Sequence, residues 1–286
     1  MRMLLCAAVI LLAPARLADA AAEGGEWRAP DPENLLILEL DVGEILIELN
    51  PIFAPEHVAQ VQRLARDGFY DGRDFYRVIE GFVAQGGAVD DIASDGDPAY
   101  FLDAEFWIEN GGNLSFTPVD RDDPFAPETG FVDGFPAARD PETGLTWLVH
   151  CPRAVAMARG ADPDSGSTDF YIVLGHAPRY LDRNLTIFGR VVSGQRIAQR
   201  IARGERRENG VIENPQQRTK IRSARIAADL EPQARPGLQV QRTDSPVFLE
   251  LLENRRRRDS GFFVARPPQF LDICSIPVET RLTAEP

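Results

Sequence analysis

Short apolar runs of strand length, punctuated by glycine and proline, recur between Leu35 and Ala227, and only two stretches there carry helical periodicity. Leu35–Leu40 and Glu44–Leu49 are joined by Asp41-Val42-Gly43, a hairpin signal with glycine available for a positive-φ position. Further strands are expected around Asp74–Val83, Ala154–Ala158, Phe170–Leu174 and Thr186–Val192, with Lys220–Ala227 as a closing strand. Pro55 opens the first helical pattern: Glu56 falls in its first turn, Val58, Val61, Leu64 and Ala65 share a face, and Gly68 ends it. A second, shorter helix is expected at Gln195–Ala202, where Ile197 and Ile201 stand one turn apart. Many short strands with two helices point to a mainly β chain, an antiparallel barrel closed by helices.

Two regions interrupt this plan. Trp107–Leu148 is rich in proline, glycine, aspartate and phenylalanine and shows little periodicity, so it reads as a long ordered loop. Its aromatics, Trp107, Phe116, Phe125, Phe131, Phe135 and Trp147, favour packing over disorder. The tail after Glu231 is the other. Asp244 or Ser245 can cap a helix with Pro246 in its first turn, and Phe248, Leu251 and Leu252 would form its apolar face. Arg255 to Arg258 fall at its C-terminal end, where positive charge suits the helix dipole, and are expected to be solvated. Phe262–Val264 and Phe270–Cys274 are expected to pack on the main domain.

A net charge of −13 over 286 residues disfavours a nucleic-acid surface and adsorption to anionic lipid. Nearly all the basic charge is arginine, and Lys220 is the only lysine. Residues 1–20 read as a secretory signal, with Arg2, an apolar core from Leu4 to Ala13, and the cleavage site Ala18-Asp19-Ala20. Pro14, Arg16 and Asp19 cut the apolar run short of a membrane span. Residues 21–33 form a polar lead, 34–230 the main domain, and 231–286 a C-terminal extension. Signal cleavage would remove Cys6 and leave Cys151 and Cys274, an even pair that suggests a disulfide in an exported chain. Two buried free thiols are the alternative. Neither cysteine belongs to a CxxC pair, and two cannot make a zinc site alone. The acidic clusters Asp120-Arg121-Asp122-Asp123 and Asp162-Pro163-Asp164 lack the spacing of a calcium loop and read as solvated turns.

The segment from Phe75 to Gly87, FYRVIEGFVAQGG, carries the chemistry. Strand alternation places Phe75, Arg77 and Ile79 on one face and Tyr76 and Val78 on the other. An arginine inside an apolar strand needs a partner, because burying an unpaired guanidinium is costly. It is either a structural residue tied to a carboxylate or a functional one.

This segment resembles the F-H-R-V-I-x-G-F-M-x-Q-G-G motif of the cyclophilin family of peptidyl-prolyl cis-trans isomerases. Four further blocks follow in the family's order. Glu105-Phe106 fits its short E-F element, and Val155-Ala156-Met157-Ala158-Arg159 resembles the bacterial I-A-M-A-R strand. Ser167 to Ile172 stands in the place of S-Q-F-F-I, and Tyr180-Leu181-Asp182 with Ile187 to Val191 resembles W-L-D…V-F-G-K-V. The similarity covers about Leu35 to Asp229 apart from the 107–148 insertion, and is greatest to exported bacterial members.

The resemblance implies a closed antiparallel eight-stranded barrel capped by two helices; the insertion, entering between the E-F element and the strand bearing Ala158, is expected near one end of the substrate groove, and the extension is expected to pack on the barrel. It implies a periplasmic enzyme acting on proline-containing segments of exported proteins, with no cofactor or metal, no nucleic acid, and no membrane after signal cleavage. Arg77 is then the donor to the imide nitrogen, and Gln85 holds Arg77 or the substrate carbonyl. Phe82, Val83, Tyr171, Leu181 and Leu185 would line the proline pocket; Ala158, Arg159, Asp169, Phe170 and Tyr180 would border the peptide groove. Several positions depart from the family. Asp169 replaces a glutamine and brings an anion near Arg77, where it either orients the guanidinium or pairs with it. Leu185 stands where eukaryotic members carry histidine, Tyr76 replaces histidine, and Tyr180 replaces the tryptophan associated with cyclosporin binding. Asp169 and the insertion also suit a prolyl-peptide binding module or chaperone with little turnover. A hydrolase built on Cys151 with His57, His150 or His176 lacks any nucleophile-elbow motif.

Overall fold

The computed structural model describes residues 25–88, 98–109 and 114–283. The expected signal segment, 1–20, lies outside them. The described residues form β1 (Trp27–Arg28), then β2 (Leu35–Leu40) and β3 (Gly43–Leu49), α1 (Pro55–Arg66), β4 (Asp74–Val78) and β5 (Val83–Gly87). The insertion contributes β6 (Ile108–Glu109), β7 (Phe116–Asp123), β8 (Ala126–Val132), β9 (Phe135–Asp140) and β10 (Leu145–Leu148). After it come β11 (Ala154–Met157), β12 (Phe170–Val173), β13 (Ile187–Ser193), α2 (Gln195–Ala198) and β14 (Thr219–Ile226). The tail holds β15 (Leu238–Gln241), α3 (Pro246–Arg257) and β16 (Thr280–Leu282).

Eight strands close a barrel in the order β11-β12-β5-β4-β14-β2-β3-β13, with β13 pairing back to β11 and every neighbour antiparallel. Its interior is filled from alternate positions, Leu36, Leu38 and Leu40 of β2, Ile45 and Ile47 of β3, and Phe170 and Ile172 of β12, together with Phe75 and Val78 of β4. Val58, Val61, Leu64 and Ala65 of α1 close one opening, and Ala198 and Ile201 in and after α2 join the same core. The second helix is shorter than its pattern suggested, one α-helical turn rather than a helix to Ala202. Helix α1 lacks a side-chain cap of its own at Ala54. Glu105 supplies one from a distance, accepting from the backbone N–H groups of Glu56 and His57 at 3.0 Å each.

The outward-facing residues of β2 and β3 are also apolar and buried, which explains why these strands read as continuous hydrophobic runs. Leu35, Ile37 and Leu46 pack beneath the insertion and the tail, together with Phe131, Trp147, Phe248, Leu252, Leu271 and Ile273. The insertion is therefore no loop. It is a five-stranded antiparallel sheet in the order β6-β10-β9-β8-β7, whose residues alternate poorly because Phe131, Ala138 and Trp147 face the tail while Val132, Phe135 and Ala137 face the barrel. Its aspartates are structural too. Asp120 pairs with Arg256 at 3.0 Å and Asp123 with Arg179 at 3.0 Å, where solvated turns were expected.

The tail wraps back across the barrel wall. Strand β15 pairs with both β1 and β16, and α3, capped by Ser245 accepting from Phe248 N–H at 3.2 Å, sets Phe248 edge-on against Phe131. Cys151, just before β11, is bonded to Cys274 of the tail across a separation of 123 residues. Closing a loop of that length stabilises the fold by about 4–5 kcal/mol in the chain-entropy picture. Two expectations for the tail fail. Arg256 is an internal anchor rather than a solvated end, since it also donates to the carbonyl of Val119. Phe262 and Val264, 84% and 105% exposed, project from the body instead of packing on it; Leu271 and Ile273 do the packing.

Candidate active site

The outer face of β4, β5, β12 and β11 gathers most of the candidate residues. Strand β4 reaches this arrangement by breaking its own alternation. Phe75 and Val78 both point inward, and the register against β5 shifts between Phe75 and Arg77. This bulge turns Tyr76 and Arg77 outward together, opposite Gln85, where simple alternation would have put Arg77 on the side of Phe75. On β12, Asp169 and Tyr171 flank the inward Phe170, and on β5, Val83 and Gln85 flank the inward Ala84.

Arg77 is half-buried and held on two sides. Its Nη1 donates to Gln85 Oε1 at 3.0 Å, its Nε to the Asn209 carbonyl at 3.2 Å, and its Nη2 to Asn209 Oδ1 at 3.3 Å. A guanidinium has five N–H donors; with these three taken, two remain without a partner among the described residues. No carboxylate among the described residues pairs with it. Burial, opposed by the nearby Tyr76, lowers its pKa below that of a free arginine, a direction that favours release of charge without producing it, because arginine stays protonated in proteins.

Asp169 does not touch Arg77. Its Oδ2 accepts from the Tyr76 hydroxyl at 2.5 Å, and its Oδ1 accepts from Ala88 N–H at 2.7 Å and Thr168 Oγ1 at 3.1 Å. Tyr76 in turn accepts from Gln85 Nε2 at 2.7 Å. Every donor in the series Arg77, Gln85, Tyr76 points the same way and ends on the carboxylate. That polarity fixes which end of the Gln85 amide faces the guanidinium. Burial and the Asp169 charge push the Tyr76 phenol well above its ordinary pKa, so it remains a donor.

Beside this series lies an apolar cluster on the same wall. Val83 and Tyr171 are buried in it, and Phe82, Leu185 and Ala158 sit at its half-exposed edge. Val132, Phe135 and Phe116 of the insertion pack against it from the side. The Tyr171 ring is stacked on His150 and its hydroxyl meets His150 Nε2 at 2.9 Å. His150 Nδ1 lies 3.1 Å from Asp182 Oδ1, and because a carboxylate only accepts, Nδ1 is the donor of that pair. Asp182 also takes Arg179 Nε at 2.7 Å, and Arg179 reaches Asp123 of the insertion. The floor of the cluster is thus tied to the insertion through buried ion pairs.

Not every candidate lands at the face. Phe170 is interior, edge-on against Tyr70 and Phe75, because it alternates with the outward Asp169 and Tyr171. The Arg159 guanidinium is committed to the carbonyls of Asn184 and Gly160 at 3.0 and 2.8 Å. Leu181 and the 67% exposed Tyr180 share the turn Arg179–Leu181 next to the cluster. Asn209 was not visible as a site residue: it comes from a left-handed turn, φ 51°, whose neighbour Gly210 accepts from Val78 N–H. Tyr76, which stands where the resembled family carries histidine, joins the site through Asp169 and Gln85. His57 is buried against Glu105 at 2.6 Å, and Cys151 is in the disulfide, so neither suits nucleophilic chemistry. Among the described residues no group of three or more His, Cys, Asp or Glu is arranged to hold a metal. A cavity of about 200 Å³ lies elsewhere, beside the disulfide between Phe135, Ile187 and Ile273, and contains none of the substrate-binding candidates.

Comparison with known proteins fits this geometry. The family described as "Cyclophilin type peptidyl-prolyl cis-trans isomerase/CLD" matches residues 35–226. A probable peptidyl-prolyl cis-trans isomerase of Brucella suis is 36% identical over 201 residues, covering 70% of this chain and 86% of its own. Peptidyl-prolyl cis-trans isomerase B of Bacillus subtilis is 33% identical over 166 residues, 58% of this chain and 87% of the relative. The crystal structure of cyclophilin AquaCyp293 from Hirschia baltica superposes with a TM-score of 0.73 at 30% identity, over 91% of this chain and 94% of that one. Such a match reaches beyond residues 35–226 and takes in chain outside the barrel region. The barrel, the arginine on its outer wall and these similarities agree: the chain belongs to the cyclophilin-type peptidyl-prolyl cis-trans isomerases.

Proposed function

We propose that the chain accelerates X–Pro rotation in exported proteins of the periplasm by stabilising the twisted amide without covalent chemistry. Rotation must cross a barrier of ~18–20 kcal/mol because amide resonance is lost at the twisted state. No bond breaks, so neither a nucleophile nor a proton shuttle is needed. As the amide twists, the imide nitrogen regains its lone pair and becomes a hydrogen-bond acceptor. A donor fixed beside it is strongest at that moment, which is transition-state stabilisation by a preorganised charge.

The observation that carries this reading is Arg77, half-buried beside the cluster of Phe82, Val83, Tyr171 and Leu185, with two unused N–H donors and no carboxylate partner among the described residues. Gln85 and Asn209 hold the guanidinium, and the apolar edge receives the proline ring. Tyr180 and Leu181 flank the entry. Export rests on the signal-like N-terminus and agrees with the Cys151–Cys274 bond, a feature of oxidising compartments. The alternative of a binder with little turnover drew on Asp169 and on the insertion; of these, the Asp169 carboxylate accepts from Tyr76, Ala88 and Thr168 rather than from Arg77.

The test is proline-isomerisation turnover by the wild-type chain and by Arg77→Ala. Ready turnover by the wild type and a loss of about 10²–10³ in the variant are expected, the scale of removing one transition-state donor. Equal, negligible rates in both would leave only a binder.

A further inference from the structure

An open groove of about 600 Å³ lies beside the segment Gly175 to Ala177 that follows β12, and is built largely from parts outside the barrel. Its walls are Phe125 in the β7–β8 turn and Phe270 in the tail; its floor is Arg179, and the segment Gly175 to Ala177 separates it from the site. Both aromatic rings are open to solvent, 48% and 37% exposed.

We propose that this groove is a subsite for the part of the client chain flanking the proline, and that it takes an apolar or aromatic side chain. Its role rests on the prolyl-isomerase mechanism proposed above. Continuity argues for this occupant. His176 N–H donates to the Gly81 carbonyl at 3.0 Å, and Leu174 N–H to the Phe82 carbonyl at 2.8 Å, so the separating segment is bonded to the turn that presents Phe82. The packing there is tight: a side chain at Gly175 would come within 2.7 Å of the Gly81 carbonyl. Arg179, the floor, begins the turn that carries Tyr180 and Leu181. A peptide leaving the proline pocket past those residues therefore enters the groove.

The groove is also rigid and charge-biased. Arg179 is held by Asp123 and Asp182 at 3.0 and 2.7 Å and lies 5.0 Å under the Phe125 ring. Asp123 Oδ1 accepts from Phe125 N–H at 2.9 Å, fixing the turn. With Arg179 neutralised, the exposed carboxylate on the rim is Asp272, which accepts only from Cys274 N–H. An acidic flanking residue is disfavoured by that anion and by the chain's charge of −13.

The experiment compares a four-residue X–Pro peptide with longer peptides bearing phenylalanine, or aspartate in its place, at successive flanking positions. For wild type, kcat/KM on the best phenylalanine peptide is expected to exceed that on the short one by about tenfold, the worth of partly burying one aromatic side chain. Aspartate at that position abolishes the gain. In the Phe125→Ala/Phe270→Ala double variant the long-to-short ratio falls to about one. A ratio near one in wild type, or a wild-type ratio retained in the double variant, overturns the subsite. Fluorescence-anisotropy binding of the same peptides separates this from the mechanism. No turnover on any peptide, with tighter binding of the phenylalanine peptide that the double variant loses, sinks the isomerase mechanism and keeps the groove.

Discussion

Replacing Tyr76 by phenylalanine removes one oxygen and breaks the hydrogen-bond series behind Arg77 at its middle. The hydroxyl is buried, donates to Asp169 at 2.5 Å and accepts from Gln85 at 2.7 Å. Asp169 keeps two other donors, so the loss on that side falls at the low end for a charged hydrogen bond; the stability cost is about 1–3 kcal/mol. The catalytic effect has a different origin. Without an acceptor for Nε2, the Gln85 amide loses its fixed orientation and can present NH₂ rather than oxygen to Arg77. Asn209 still holds the guanidinium through two bonds, so one of three restraints weakens. A loss of about 1 kcal/mol in transition-state stabilisation corresponds to roughly a fivefold fall in kcat. KM should stay near wild type, because the apolar cluster that grips proline is untouched. The assay is isomerisation of a proline peptide with kcat and KM separated, beside a denaturant titration. A lowered unfolding midpoint with wild-type kcat would show that the series only supports the fold.

Other outcomes follow from the same structure. Reduction of the Cys151–Cys274 bond, or Cys274→Ser, should lower the unfolding free energy by up to about 4–5 kcal/mol; an unchanged denaturation midpoint would show that the bridge adds nothing. For Glu105, burial raises the pKa, but hydrogen bonds from His57 and from the backbone of Glu56 and His57 outweigh it and hold the carboxyl below its ordinary value of 4.5. A depressed folded pKa contributes stability that is complete above about pH 4.5 and is lost as pH falls through the folded value, so Glu105→Gln should flatten the acid limb of the stability profile. A variant profile as steep as wild type would place acid sensitivity elsewhere. Tyr180, exposed where the resembled family carries tryptophan, predicts weak inhibition by cyclosporin, and a sub-micromolar inhibition constant would contradict that.

The barrel was legible because its strands are short apolar runs bounded by turn residues and its first helix carries ordinary start and stop signals. Arg77 and Gln85 were legible as residue types in a distinctive segment, and the resemblance offered their contact, yet the strand face that Arg77 occupies was not legible. The bulge at Tyr76 leaves no mark in a pattern of alternate residues, since Phe75 and Val78 are both apolar whichever way the strand runs. Phe170 entered the groove as part of the resembled block Ser167 to Ile172, although one step along a strand reverses the face and turns it into the core. The insertion was misread for a physical reason: its sheet is covered on both sides, by barrel and by tail, so polar–apolar alternation is suppressed. Asn209 lies 132 residues from Arg77, and no local signal could join them.

The most direct test is exchange spectroscopy on a proline peptide at saturating concentration, with wild type and with Arg77→Ala. The account predicts a variant that binds the peptide nearly as tightly yet interconverts its bound isomers about 10²–10³ times more slowly. A variant that binds poorly but rotates the bound peptide at the wild-type rate would show that Arg77 serves binding alone, and would contradict the central claim.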